Sequence, residues 1–84
     1  MPVISRFYGI TIRMYFQQAE HNPPHIHAIY GDDVAAITIR SYEVLEGSLP
    51  PKALALVREW LEKNESALMV MWDTQEFKKL APLE

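Results

Sequence analysis

Cysteine is absent from this chain, so neither a disulfide nor a thiolate metal site is open to it. That absence fits a reducing compartment, and the expected location is the cytoplasm. No run of about 18 apolar residues occurs, so there is no candidate for a helical membrane span. The opening residues lack a basic stretch followed by a long apolar run, and no signal peptide is expected. An excess of positive charge is missing too: 8 Lys and Arg stand against 11 Asp and Glu, for a net charge of −3. A protein that grips a phosphate backbone without regard to sequence is usually basic, so charge argues against nucleic acid as the default partner. There is no glycine-rich phosphate loop, and Ser5, Ser41, Ser48 and Ser66 lack the context of a nucleophile elbow.

What is present suffices for one small domain. The 84 residues are 49% hydrophobic, with 2 Trp, 4 Tyr and 3 Phe, enough for a core without covalent staples. Residues 1–84 therefore read as a single domain, with neither repeats nor low-complexity segments. Residues 3–8 read as a first short strand on the strand formers Val3, Ile4, Phe7 and Tyr8, up to Gly9, which marks a turn or bulge. Residues 10–16 alternate: Ile10, Ile12, Met14 and Phe16 fall on one face, and Thr11, Arg13 and Tyr15 on the other. Residues 25–30 make a third strand, Gly31-Asp32-Asp33 a hairpin signal, and residues 34–40 a fourth strand with Ala35, Ile37 and Ile39 inward. Val44-Leu45-Glu46 reads as a short last strand ended by Gly47.

The period then changes from 2 to 3.6. Ser48 is the expected N-cap, and Pro50 or Pro51 suits a first helical turn. Ala53, Leu56, Val57, Trp60 and Leu61 form an apolar stripe. Asn64 reads as a break, with a second helix from Ser66 to about Lys79 that carries Leu68, Met71 and Trp72 inward. A single long helix through Asn64 is the alternative. The fold class expected is α+β: an antiparallel four- to five-stranded meander covered on one face by two C-terminal helices, in the order β-β-β-β-(β)-α-α.

The chemistry-bearing stretch is His21-Asn22-Pro23-Pro24-His25-Ile26-His27. Two prolines fix φ and remove two donors, so the chain here is stiff and extended. On a strand, His25 and His27 point to one face. Three readings are open. His21, His25 and His27 can be catalytic, as a metal-free acid–base group of the kind RNA cleavage by 2′-hydroxyl attack needs. His25 and His27 with Glu20 can hold a divalent metal, although the spacing matches no named metal signature; otherwise no cofactor is called for. Or the histidines bond neighbouring carbonyls and clamp the proline turn to the sheet. Arg6, Arg13 and Tyr15 are candidate substrate-binding residues, since arginine and tyrosine together can hold a phosphate or stack on a base; an ordinary solvated sheet face is the plainer reading. Arg40 can join them if its strand is a neighbour. Asp32, Asp33, Glu43 and Glu46 sit in turns and read as turn chemistry.

These residues, from Pro2-Val3-Ile4-Ser5-Arg6-Phe7-Tyr8-Gly9-Ile10 through Glu20-His21-Asn22-Pro23-Pro24-His25-Ile26-His27-Ala28, then Leu45-Glu46-Gly47-Ser48-Leu49-Pro50, Leu56-Val57-Arg58-Glu59-Trp60 and Met71-Trp72-Asp73-Thr74-Gln75-Glu76-Phe77, resemble a small bacterial family labelled domain of unknown function 4160. The family pattern often has aspartate before the first histidine; here Glu20 keeps the acidic character. The resemblance implies a gene neighbour encoding a second small domain, sometimes fused to a helix-turn-helix, and a role similar to the toxin half of a type II toxin–antitoxin pair. It implies no reaction.

Met69, Val70, Met71, Trp72 and Phe77 are more apolar groups than one helix face buries. Met69, Met71, Trp72 and Phe77 are therefore the expected partner-binding residues, for a small antitoxin-like protein or a second copy of the chain. Two functions from different classes follow. One is a toxin-like component acting through the histidine turn. The other is a non-catalytic binding module whose histidines are architectural.

Overall fold

The computed structural model describes residues 3–14 and 23–83. Tyr15, Phe16, Glu20 and His21 lie outside the described residues. Five strands, β1 (Val3–Phe7), β2 (Ile10–Arg13), β3 (His25–Tyr30), β4 (Asp33–Thr38) and β5 (Val44–Gly47), precede one helix, α1 (Pro51–Thr74). Every neighbouring pair of strands is antiparallel and the spatial order is the chain order, so the sheet is a five-stranded meander in an α+β fold.

Two-residue turns build the first and third connections. Phe7 pairs with Ile10 across Tyr8-Gly9, both at positive φ (51° and 80°), which is the type I′ pattern that matches strand twist. Tyr30 pairs with Asp33 across Gly31-Asp32, where Gly31 alone has positive φ. Glycine at the first central position is what a type II′ turn requires. The β4–β5 loop is closed by Thr38: its N–H donates to the Glu43 carbonyl at 2.9 Å, and its hydroxyl accepts the Glu43 N–H at 2.9 Å.

The period-2 pattern sends one row of side chains inward. Ile10 and Ile12, Ile26 and Ala28, and Ala35 and Ile37 are all buried on one face with Phe7 and Met14. Helix α1 covers that face with Ala53, Val57, Trp60, Leu61, Leu68, Met71 and Trp72, joined by Leu49 and Leu83. Trp60 stacks on Phe7 at 5.7 Å between ring centres.

The expectation of two helices is corrected: among the described residues there is one. Asn64 does not break the helix, because its amide Nδ2 donates to the Trp60 carbonyl one turn back at 2.9 Å instead of competing for the backbone outside the helix. The apolar stripe runs on across it from Leu61 to Leu68. The helix also ends earlier than Lys79. Gln75 adopts the left-handed conformation (φ 61°) and its N–H donates to the Met71 carbonyl at 2.8 Å, a C-terminal cap made without glycine. Ser48 is not the N-cap. Pro50 holds that position without a side-chain bond, and Pro51 opens the helix, where its missing N–H costs nothing.

Beyond the helix the tail folds back across it. Leu80 N–H donates to the Ile4 carbonyl on β1 at 2.8 Å, Trp60 Nε1 donates to the Ala81 carbonyl at 2.9 Å, and Leu83 is buried. No helix among the described residues is long and apolar enough to cross a membrane.

Candidate functional site

The face of the sheet turned away from α1 carries the polar residues, and the strand registers decide which of them meet. Arg13 pairs with His27, His27 with Ala36, and Ala36 with Glu46, so a single row crosses four strands. His25 lies two residues before His27 on the same face, opposite Thr38. The His25 and His27 rings stand edge-on at 5.2 Å. Ala36 is small and buried, and it leaves a floor between His27 on one side and Glu46 on the other. Over it lies a cleft of about 250 Å³ lined by Pro23, His25, His27, Ala36, Leu45 and Glu46.

The prolines position this site. Pro24 lacks an N–H but its carbonyl accepts from Ile39 N–H at 2.9 Å, which extends the β3–β4 ladder one step beyond His25. His25 Nδ1 lies 2.8 Å from the Pro23 carbonyl. A carbonyl only accepts, so Nδ1 carries the proton, and in the neutral ring Nε2 keeps the lone pair. The other flank of His25 rests on Trp72, with ring centres 5.3 Å apart. His25 is thus oriented by its own turn and by the end of the helix.

Burial pushes the His27 imidazole below its usual range; the neighbouring His25 acts in the same direction, and Glu46 pulls weakly back. His27 is therefore neutral at pH 7. The unfolded chain takes up this proton near about 6.5, whereas the fold takes it up only at lower pH. Stability owed to this group is complete above that value and is lost as pH falls through it. Melting temperatures measured from pH 7.5 to 5 should therefore drop further for the wild type than for His27→Gln. A difference that stays flat across the window would show that His27 is not held neutral by the fold.

The other expected site residues are placed as follows. Arg13 adjoins His27 and is half-buried. Arg6 is exposed on the same face, opposite Thr11 and one row further along. Tyr15, His21 and Glu20 lie outside the described residues. Arg40 is exposed in the turn after β4 and does not join the row. Among the described residues no three His, Asp or Glu side chains come together as a metal cage. Of the expected partner residues, Met71 and Trp72 are buried in the core, Met69 and Phe77 pack half-buried against it, and Val70 is exposed. A shallow groove of about 450 Å³ beside Val70 runs between the helix end and the tail.

Glu46 is the site residue that the sequence reading missed, assigned there to turn chemistry. Its partnership with His27 crosses two strand pairs, the second with an irregular register, and no spacing in the sequence encodes that.

The family model described as Domain of unknown function (DUF4160) matches residues 9–73, from the first hairpin turn to the last turn of the helix. The chain belongs to this family. No curated protein and no solved structure matches it. The DUF4160 match takes in His25, His27, Arg13, Ala36 and Glu46, so the whole described site lies within it.

Proposed function

We propose that this DUF4160 chain is the toxin-like component of a two-gene toxin–antitoxin pair and acts on its target through the cleft between His27 and Glu46. The observation that carries the reading is the histidine pair itself. Two imidazoles share one face at 5.2 Å, one held neutral by burial and the other fixed in tautomer by the Pro23 carbonyl, and both open onto a cleft. A neutral imidazole takes the proton of the attacking hydroxyl at pH 7, and an imidazolium beside it gives its own proton to the departing oxygen, which is the arrangement general acid–base chemistry needs. Metal-independent cleavage of RNA at the 2′-hydroxyl is the reaction this pair suits best. The partner would be a small antitoxin-like protein.

One observation favours a second reading. His25 is bonded to Pro23 and packed on Trp72, as a residue that clamps the turn would be. On this reading the chain is a binding module and its histidines are architectural. A divalent metal held by His25 and His27 is a third reading, and metal content of protein purified without a histidine tag tests it.

The deciding experiment is induced expression in a bacterium of the wild type beside His27→Gln and His25→Gln, each variant first verified as folded by its melting curve. Growth arrest by the wild type that His27→Gln abolishes is the expected result. Arrest by all three would make the histidines structural. Arrest by none would put the binding module first.

A further inference from the structure

Arg13 has an unusual environment for a residue on the sheet face turned away from α1. It is half-buried, flanked by Val3 on β1 and His27 on β3, and its Nε is shielded from solvent with no hydrogen-bond partner among the described residues. A guanidinium is always charged and has five donors to satisfy. A buried, unpaired donor is a cost that folded proteins avoid, and a bound group with acceptor oxygens would remove it. The acid of the row does not supply that group. Glu46 lies two strands beyond His27, and at about 4.8 Å per strand it is some 14 Å from Arg13 along the sheet.

We infer that the sheet face over Arg13 and His27 is a seat for a phosphate group of the cleft's ligand. The inference rests on the proposed use of the cleft and names the class of molecule it takes. A carboxylate is satisfied by the guanidinium fork alone. A phosphate has further oxygens, and a second polar group directly opposite Arg13 on the neighbouring strand is positioned to meet one. That group is His27. Thr11 lies on the same face of β2, two residues before Arg13. Glu46 repels an anion but accepts a hydrogen bond, so it orders the ligand: phosphate over β2–β3, a neutral donor group across Ala36 toward β5. A nucleotide carries both groups. The overall charge of −3 is compatible with this seat, because the site recruits by local donors rather than by a basic surface.

The test is a titration of isotope-labelled protein with sodium phosphate at pH 7, with ionic strength held constant by sodium chloride, following the Arg13 Nε–H signal and the backbone amides. The expected result is a saturable shift of the Arg13 signal and of amides in β2 and β3. Arg13→Gln should weaken binding at least tenfold. Arg13→Lys, which keeps the charge but loses Nε, should weaken it nearly as much and serves if the glutamine variant does not fold. Lys63→Gln, an equal change of charge on the exposed side of α1, should leave it unaltered. Shifts that rise linearly with phosphate, or that persist in both Arg13 variants, would overturn the seat. Acetate binding as tightly as phosphate would overturn the choice of phosphate. These outcomes are separate from growth arrest: a toxin with no phosphate seat, or a seat on a protein that arrests nothing, would each be seen as such.

Discussion

Replacing Trp60 with alanine is expected to cost roughly 3–5 kcal/mol of folding stability. Trp60 is 1% exposed, stacks on Phe7, and sits where helix, sheet and tail meet. Removing the indole leaves a cavity that Val57 and Leu61, fixed on the same helix, are poorly placed to fill. It also takes the donor away from the Ala81 carbonyl, so the tail loses one of its anchors. For a domain of this length, whose whole stability is on the order of 5–15 kcal/mol, that is a large fraction. Trp60→Phe separates the two contributions: it keeps a stacked ring and loses the Nε1 bond, at about 1–2 kcal/mol. Urea denaturation is the measurement, with Trp72 retained as the fluorophore. A loss below about 1 kcal/mol for the alanine variant would be incompatible with the packing described.

Gly47→Ala is expected to cost about 2–4 kcal/mol, a large effect for a single methyl group. Gly47 ends β5 at φ 75°, opposite Ala35. An added Cβ would overlap the Val34 carbonyl oxygen and lie 3.2 Å from the Ala35 Cα, and both are backbone, so nothing flexible can yield. The same carbonyl accepts the Ser48 N–H at 3.2 Å, and the shift needed to relieve the overlap breaks that bond. Gly31→Ala is the control. Gly31 also has positive φ (61°), but nothing lies within 4 Å of a Cβ there, so only the conformational cost of about 1–2 kcal/mol applies. Equal losses at the two positions would sink the steric argument. Because β5 carries Leu45 and Glu46, Gly47→Ala should also disturb the cleft wall, while Gly31→Ala should not.

Much of this fold was legible in the chain. Alternation placed Ile10, Ile12 and Met14 on the inner face, and the 3.6 period placed Ala53, Val57, Trp60 and Leu61 on one helix stripe. Both follow from backbone geometry, which fixes side-chain direction before any tertiary contact forms. The Gly31-Asp32 turn was readable because glycine is the residue that such a turn demands. Where the reading went astray, the cause was a side chain with two uses. Asn64 breaks helices when it bonds elsewhere; here it bonds the Trp60 carbonyl and the helix runs through. Tyr8 at positive φ, and Gln75 in a cap position that glycine usually fills, cost energy locally that the surrounding packing overrides. The partner surface expected at Met69, Met71, Trp72 and Phe77 rested on a count of apolar groups, and the structure places two of the four in the core and two half-buried against it. Met71 is met by the chain after the helix, where Lys78 N–H donates to its sulfur at 3.3 Å, and Trp72 is met by His25; residue spacing announces neither contact.

By itself the sequence determined that His25 and His27 share one face, that the prolines before them stiffen their approach, and that an amphipathic helix covers one face of the sheet. Local sterics and side-chain periodicity are enough for that. The tertiary structure alone decided that Arg13 stands beside His27 and that Glu46 faces it across Ala36. A two-residue turn fixes register by counting, so the pairing of His27 with Ala36 is latent in Gly31-Asp32. The β2–β3 connection is too long to count across, and the β4–β5 pairing shifts register between Ala36 and Ile37. At both places the register is set by which apolar rows reach the core, and the polar neighbours on the other face follow from it.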